Sequence, residues 1–381
     1  MKKYELITLI FTFNFLLSLS ISAICIPIAN KIGNIFSIID LPNKRKHHKV
    51  ALVRLGGIGI LFGFLLGYFI TYLSTKNFEF INSSNSITLV FISSILYFLI
   101  GLSDDFYQLN PFTKLFFQFL AASFLYIAGI NFEGLYLYPF QDSAFLLTTP
   151  KILSYLITTF LIVGITNGFN WLDGLDGLAA GIAFILCISL GIIFINTGNF
   201  DFALIACSFA GSIVGFLRYN LYPAKILMGD CGSYLLGGTL ISLSILGLRK
   251  NQINLEVDSL SFGDSNFLPI ILLLFLFFVP VIDMIQVIIL RLKDGYSPFF
   301  PDRRHLHHRL LSKGINERNT ALILYTFTQI SCCLALFFFD VEGRMVFICL
   351  SGIFFCFSVL YCFNMKSKID PNYRKNNDSQ I

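Results

Sequence analysis

"ITLVFISSILYFLIGLSDDFYQLNPFTK", residues 87–114, runs an apolar stretch into two adjacent aspartates, Asp104 and Asp105. No residue from Ile87 to Ser103 is charged. A membrane span needs about 20 mostly apolar residues, so the stretch reads as a spanning helix with the acids at its end. Like charges 4 Å apart repel by about 4 kcal/mol at an effective dielectric of about 20. A pair placed there asks for a reason.

The rest of the chain agrees with the helix. Of 381 residues, 56% are hydrophobic and 13% charged, and the mean hydropathy is +0.75. A soluble domain carries roughly 25% charged residues, so a soluble enzyme is excluded. The expected fold class is an all-α polytopic integral membrane protein with about eleven transmembrane helices. The candidate spans are 5–29, 56–74, 87–102, 115–131, 152–166, 178–196, 202–217, 234–248, 267–290, 321–338 and 345–363. The first apolar run exceeds the about 7–15 residues of a signal peptide core, so it reads as a retained helix. Residues 1–363 form one transmembrane catalytic domain, and 364–381 a polar, disordered tail. With the N-terminus outside and the C-terminus cytosolic, 20 of the 27 Lys and Arg fall in cytosolic segments, as the positive-inside rule demands. None of the nine cysteines falls in an outer loop, so they read as small buried hydrophobes. Gly59, Gly63 and Gly67 recur every fourth residue, a spacing that favours close helix packing.

The chemistry collects on one side. His47 and His48 lie in "DLPNKRKHHKVALVRLGG", and His305, His307 and His308 in "PDRRHLHHRLL". Asp173 and Asp176 lie in "NGFNWLDGLDGLAAG", and Asp230 in "MGDCGS". Each motif has an ordinary reading: a solvated helix end, an Asx turn, or an interfacial basic patch for anionic lipid. A helical turn, however, would put Asp173 and Asp176 on one face. Five loops delivering acids and bases to one cytosolic surface argue against the ordinary readings taken together. Basic loops attract phosphates and acidic loops repel them. Both make sense if a hard cation sits between carboxylate and phosphate, and Mg²⁺ binds in that way.

The five motifs, in this order and at these helix ends, resemble those of the polyprenyl-phosphate N-acetylhexosamine-1-phosphate transferases, the glycosyltransferase family 4 superfamily. It includes undecaprenyl-phosphate GlcNAc-1-phosphate transferase and phospho-MurNAc-pentapeptide translocase. The H-x-H-H form and the eleven spans resemble the GlcNAc branch. Ala51 and Val53 stand where family members often have prolines. The resemblance implies a Mg²⁺- or Mn²⁺-dependent phosphotransferase in the bacterial inner membrane, with its active site facing the cytoplasm. Undecaprenyl or another polyprenyl phosphate attacks a UDP-N-acetylhexosamine, giving polyprenyl-diphosphate sugar and UMP, the initiating step of cell-envelope polysaccharide synthesis such as O-antigen. GlcNAc is the expected sugar; GalNAc, QuiNAc, FucNAc or UDP-MurNAc-pentapeptide are the alternatives. A homodimer is a further expected partner; nucleic acid is not.

Residue roles follow from matching motif positions. Asp104 and Asp105 would be catalytic, as base, nucleophile or metal contact, and Asp230 with Asp105 would hold the metal. Asn170, Asp173 and Asp176 would bind the nucleotide. Arg45, Lys46 and His48 would contact phosphates, and Lys114 the lipid phosphate. Arg303, Arg304, His305, His307 and His308 would bind the diphosphate and sugar. Zinc at the histidines is disfavoured, since Zn²⁺ prefers closed N/S sets. Asp283 lies inside the ninth span, where an acid is a functional candidate by default; the sequence leaves open whether it faces the site or pairs with a base. Two other classes compete. A secondary transporter would place its acids near the midplane between repeated halves, and no repeat is visible. A lipid-binding scaffold would need no such set of acids and histidines.

Overall fold

Inside a bilayer no water satisfies the backbone, so runs this apolar persist as helices. The computed structural model describes residues 2–41, 50–75, 85–132, 135–137, 145–147, 150–254, 268–297 and 304–338. In chain order the elements are α1 (Lys2–Ile35), β1 (Ile39–Asp40), β2 (Leu52–Val53), α2 (Gly56–Thr75), α3 (Asn85–Tyr107), α4 (Pro111–Ala128), β3 (Leu135–Leu137), β4 (Phe145–Leu147), α5 (Lys151–Leu172), α6 (Leu178–Asn196), α7 (Phe200–Asn220), α8 (Gly229–Asn254), α9 (Leu268–Leu276), α10 (Phe278–Lys293), α11 (Leu306–Ser312) and α12 (Glu317–Phe338).

Among the described residues, nine helices are long and apolar enough to cross a membrane: α1 to α8 and α12. The expected span at 345–363 and the tail lie outside the described residues. The expected span at 267–290 is divided into α9 and α10. Pro280 explains the break, because its ring lacks an N–H and crowds the carbonyl four residues earlier. Two antiparallel ribbons, Ile39–Asp40 with Leu52–Val53 and Leu135–Leu137 with Phe145–Leu147, amend the all-helical expectation.

The spanning window of α8 is wholly enclosed by the rest of the bundle. Small residues let its neighbours reach its backbone. A Cβ on Gly101 of α3 would fall 2.2 Å from the Asp230 carbonyl oxygen, and one on Gly237 would fall 2.5 Å from the Thr166 Cα. The Ser93 and Ser242 hydroxyls bond at 2.7 Å between α3 and α8. In hydrocarbon, packing and such bonds hold helices together, since lipid is as apolar as leucine. The Gly59–Gly63–Gly67 stripe behaves as expected, fitting against Ile26, Ser22 and Ser18 of α1. Cys187, Cys231 and Cys332 are buried free thiols.

Outward-facing residues such as Phe112, Phe116, Phe124 and Ile127 on α4 remain exposed, as a lipid-facing belt requires. Successive spans alternate in direction. The α1–α2, α3–α4, α5–α6 and α7–α8 connections therefore meet at one end of the bundle, and α10 delivers α11 to the same end.

Candidate active site

The opening stretch folds as a tight corner between α3 and α4. Asp104 lies in the last turn of α3, and its Oδ1 accepts from Leu109 N at 2.9 Å. Gln108 takes a positive φ of 48° to make the turn. Asn110 then caps α4, its Oδ1 accepting from Thr113 N at 2.8 Å and from the Thr113 hydroxyl at 3.0 Å, with Pro111 in the first helical turn. Proline suits that position because its missing N–H would have no helical partner there. "NPFTK" is thus a capping sequence that presents Lys114. Its Nζ is paired with Asp104 Oδ2 and lies 3.7 Å from Asp230 Oδ2.

Asp105 does something the sequence did not disclose. Its Oδ1 accepts from Asp230 N at 3.0 Å and its Oδ2 from Cys231 N at 2.8 Å. It therefore caps α8 from another helix, where the first amides have no intrahelical acceptors. Gly229 enters this junction with φ 77°, and a Cβ there would fall 2.2 Å from the Arg54 carbonyl oxygen and 2.7 Å from Asp105 Oδ2. Only glycine fits. This capping is the structural reason for placing an acid there.

Arg54 completes the cluster, although sequence reasoning gave it no role. Its NH2 nitrogen lies 3.5 Å from both Asp105 Oδ1 and Asp230 Oδ1. The strand pair fixes it: Arg54 N donates to Ile38 O at 3.2 Å, and Leu227 N donates to Val53 O at 2.8 Å. The available signal was its position in "RLGG", the last base before a glycine pair that opens a span. Arg45, Lys46, His47 and His48 lie outside the described residues.

The α5–α6 turn reaches both halves of the site. Asn170, expected at the nucleotide, donates to Asp230 Oδ1 at 2.7 Å and to Ser233 Oγ at 3.0 Å. Asp173 follows the last residue of α5. The helical turn expected over Asp173–Asp176 is absent: α5 stops at Leu172 and α6 starts at Leu178, and Gly177 between them takes φ 75°. Asp176 accepts from Ala224 N at 2.8 Å, which braces the α7–α8 connection.

The histidine segment meets the same turn from the other side. The His305 ring lies edge-on to Trp171 with centroids 5.3 Å apart, and is stacked with His307 at 5.7 Å. His307 and His308 are 4.3 Å apart. A Cβ on Gly174 would fall 2.4 Å from His307 Nε2, so glycine in "LDGL" makes room for the histidine. Arg304 donates to Leu290 O at 3.0 Å and pairs with Asp294, which anchors it to the end of α10. Buried Arg291 lies with its Cζ 5.0 Å from the Trp171 ring centroid. Arg303 lies outside the described residues.

A family model, glycosyl transferase family 4, matches residues 87–248. The chain is 32% identical to a probable undecaprenyl-phosphate N-acetylglucosaminyl 1-phosphate transferase of Bacillus subtilis, over 82% of this chain and 80% of the relative. The chain belongs to glycosyl transferase family 4. It is also 34% identical to a decaprenyl-phosphate N-acetylglucosaminephosphotransferase of Mycobacterium leprae, over 78% of this chain and 76% of that one. Identity to the undecaprenyl-phosphate alpha-N-acetylglucosaminyl 1-phosphate transferase of Yersinia pestis is 28%, over 81% and 78%. The family segment, 87–248, contains Asp104, Asp105, Lys114, Asn170 and Asp230, while Arg54 and the histidines lie outside it.

Charge in this family 4 site is shared among close neighbours. Burial disfavours the Arg54 charge, yet Asp230, Asp105, Asp40 and Asp173 outweigh it and raise its pKa. Burial, then Asp230, raises the Asp173 pKa well above the usual carboxylate range against the opposing pull of Arg54; Asp105 and Asp176 add to the rise. Among the described residues, no three acid, histidine or cysteine side chains surround one point closely enough to hold a metal ion alone. The donors here are carboxylate oxygens, which suit hard cations. One or two of them, completed by water and phosphate oxygens, match the way Mg²⁺ is bound.

Proposed function

We propose that this protein transfers N-acetylglucosamine-1-phosphate from UDP-N-acetylglucosamine to a polyprenyl phosphate, at the bundle end where the carboxylates and histidines meet. One observation carries the reading beyond the relatives' names: acids from α3 and α8 share two bases, Arg54 and Lys114, at a helix-end surface. Such a site can take a diphosphate and a lipid head group together. The lysine- and arginine-rich segments at this end support a cytosolic orientation, with the N-terminus outside.

In the reaction, an oxygen of the lipid phosphate bonds to the β-phosphorus of the nucleotide sugar. The bond from that phosphorus to the oxygen bridging it to the α-phosphorus breaks, and UMP leaves with the bridging oxygen and its electron pair. A phosphate monoester has a second pKa near 6, so the nucleophile is ionised at neutral pH and needs no strong base. Positioning and charge neutralisation supply most of such catalysis. Lys114, held between Asp104 and Asp230, would receive the lipid phosphate. Arg54 receives the diphosphate, and Asn170 fixes the Asp230 carboxylate.

Asp230 would be the main ligand of a Mg²⁺ or Mn²⁺ ion, with Asp104 or Asp105 at its side. When bound, the ion would neutralise phosphoryl oxygens. The amide bonds to both Asp105 oxygens favour a scaffold over a nucleophile at that position, and so favour direct attack by the lipid phosphate.

The test uses purified protein, UDP-[³H]N-acetylglucosamine and polyprenyl phosphate. UMP and a labelled lipid should form only when both substrates are present. Chelation should abolish turnover, and Mg²⁺ or Mn²⁺ should restore it. Labelled UMP should exchange into the UDP-sugar only when lipid phosphate is added; exchange in delipidated protein would establish a phospho-enzyme instead. A panel with N-acetylgalactosamine and deoxy sugars decides the sugar.

A further inference from the structure

The reaction just described leaves Asp283 unused. Asp283 lies in α10 and is 1% exposed. A carboxylate buried so completely is costly unless paired, so it requires partners. Both come from the histidine segment. Asp283 Oδ2 lies 2.8 Å from His305 Nδ1, and Oδ1 accepts from Leu306 N at 2.6 Å. From the structure we infer that Asp283 is a positioning residue of the transfer reaction: it sets the direction of the histidine helix and the tautomer of His305. The inference rests on the proposed function.

Two physical arguments support it. First, α11 has only seven residues, too few to hold itself as a helix. His305 occupies its N-cap position but makes no side-chain cap bond. Asp283 supplies the missing acceptor from α10, as Asp105 does for α8. The cap fixes where α11 starts, and hence where His307 and His308 lie. His307, 1% exposed, then seats against Gly174 in the α5–α6 turn.

Second, a carboxylate facing Nδ1 requires the proton on Nδ1, which leaves Nε2 as the other nitrogen of the ring. Which nitrogen carries the proton is set by the bond the other makes. His305 is stacked on His307, so the acid holds the first ring of a three-ring row.

The experiment compares wild type with Asp283→Asn, Asp283→Glu and Asp283→Leu in full-length protein in nanodiscs. Steady-state UMP release is measured separately against UDP-N-acetylglucosamine and against polyprenyl phosphate. In parallel, ¹⁵N-histidine spectra report tautomers. The chain has five histidines, so a His305→Gln control assigns the signal. Asparagine keeps an oxygen for Leu306 N but offers only a donor to Nδ1, which forces the proton to Nε2.

The expected result is a switch of His305 to the Nε2-protonated form in Asp283→Asn, with kcat/KM for the UDP-sugar at least tenfold lower. KM for polyprenyl phosphate should not change. Asp283→Glu should recover the Nδ1-protonated signal and part of the activity, and Asp283→Leu should lose both. Three results would overturn the inference: an unchanged tautomer in Asp283→Asn, wild-type kcat/KM in that variant, or equal loss on both substrates without recovery by glutamate. No UMP from wild type would sink the proposed function alone, and the tautomer spectra would still decide the pairing.

Discussion

The carboxylate cluster and the histidine segment serve one surface but are held in different ways. The carboxylates stand on the ends of spanning helices whose backbones touch. Gly101 meets Asp230, and Gly57 lies against Gly232, each with less than 3 Å to spare for a Cβ. Asp105 and Asn170 then fix Asp230 through its main chain and its side chain. The histidines stand on a seven-residue helix whose start is tied to one acid, Asp283. On the proposed function, the rigid half would handle charge and the tethered half recognition. Substitutions should therefore cost chemistry and use of the lipid in one half, and use of the UDP-sugar in the other.

The sharpest break of that contrast is at Asp230. Asp230→Ala should lower UMP formation by about a thousandfold, the scale of removing a central charge-stabilising group, while the protein still inserts and purifies. Activity within tenfold of wild type would move the centre of the site elsewhere. Asp105→Asn should also lose activity, but through the scaffold. It places an amide donor against one of two backbone N–H groups, and a buried donor left unpaired costs about 1–3 kcal/mol. Thermal unfolding in detergent should fall with Asp105→Asn and hold with Asp230→Ala. An unchanged midpoint in Asp105→Asn would remove the capping role.

In the tethered half, His307→Ala and His308→Ala should each lower kcat/KM for the UDP-sugar by about tenfold, or about 1.4 kcal/mol. The lipid KM should stay constant. Lys114→Ala should give the reverse pattern, raising the lipid KM about fivefold, or about 1 kcal/mol. Equal effects on both substrates would mean that the two halves do not divide the work.

The smallest effect concerns pH. Asp173 has its pKa raised in the folded protein, so its contribution to stability is full below the unfolded value of about 4. That contribution is lost as pH rises through the raised folded value. Asp173→Asn should therefore gain midpoint relative to wild type by roughly 2 °C as pH goes from 5 to 8. A difference that stays flat across that range would show that Asp173 carries no such penalty.

Much of this was legible in the residues. The long unbroken apolar runs required membrane-spanning helices, because barrel strands are shorter and alternate apolar with polar residues. Alternation of spans put the five motifs on one face. The sequence could not show that Asp104 and Asp105, adjacent in the chain, serve different ends. One turns back to its own corner and Lys114, while the other crosses to α8, because side chains 100° apart on a helix meet different neighbours. It could not show that Asp173 and Asp176 fall between two helices and not on one, since the end of α5 depends on what packs there. Arg54 and Asp283 took their places only when helices distant in the chain came together. Hydropathy is a property of each residue and its near neighbours, so it marked the apolar runs that become helices; the partner of a buried charge is a property of the packed bundle, so tertiary structure alone chose it.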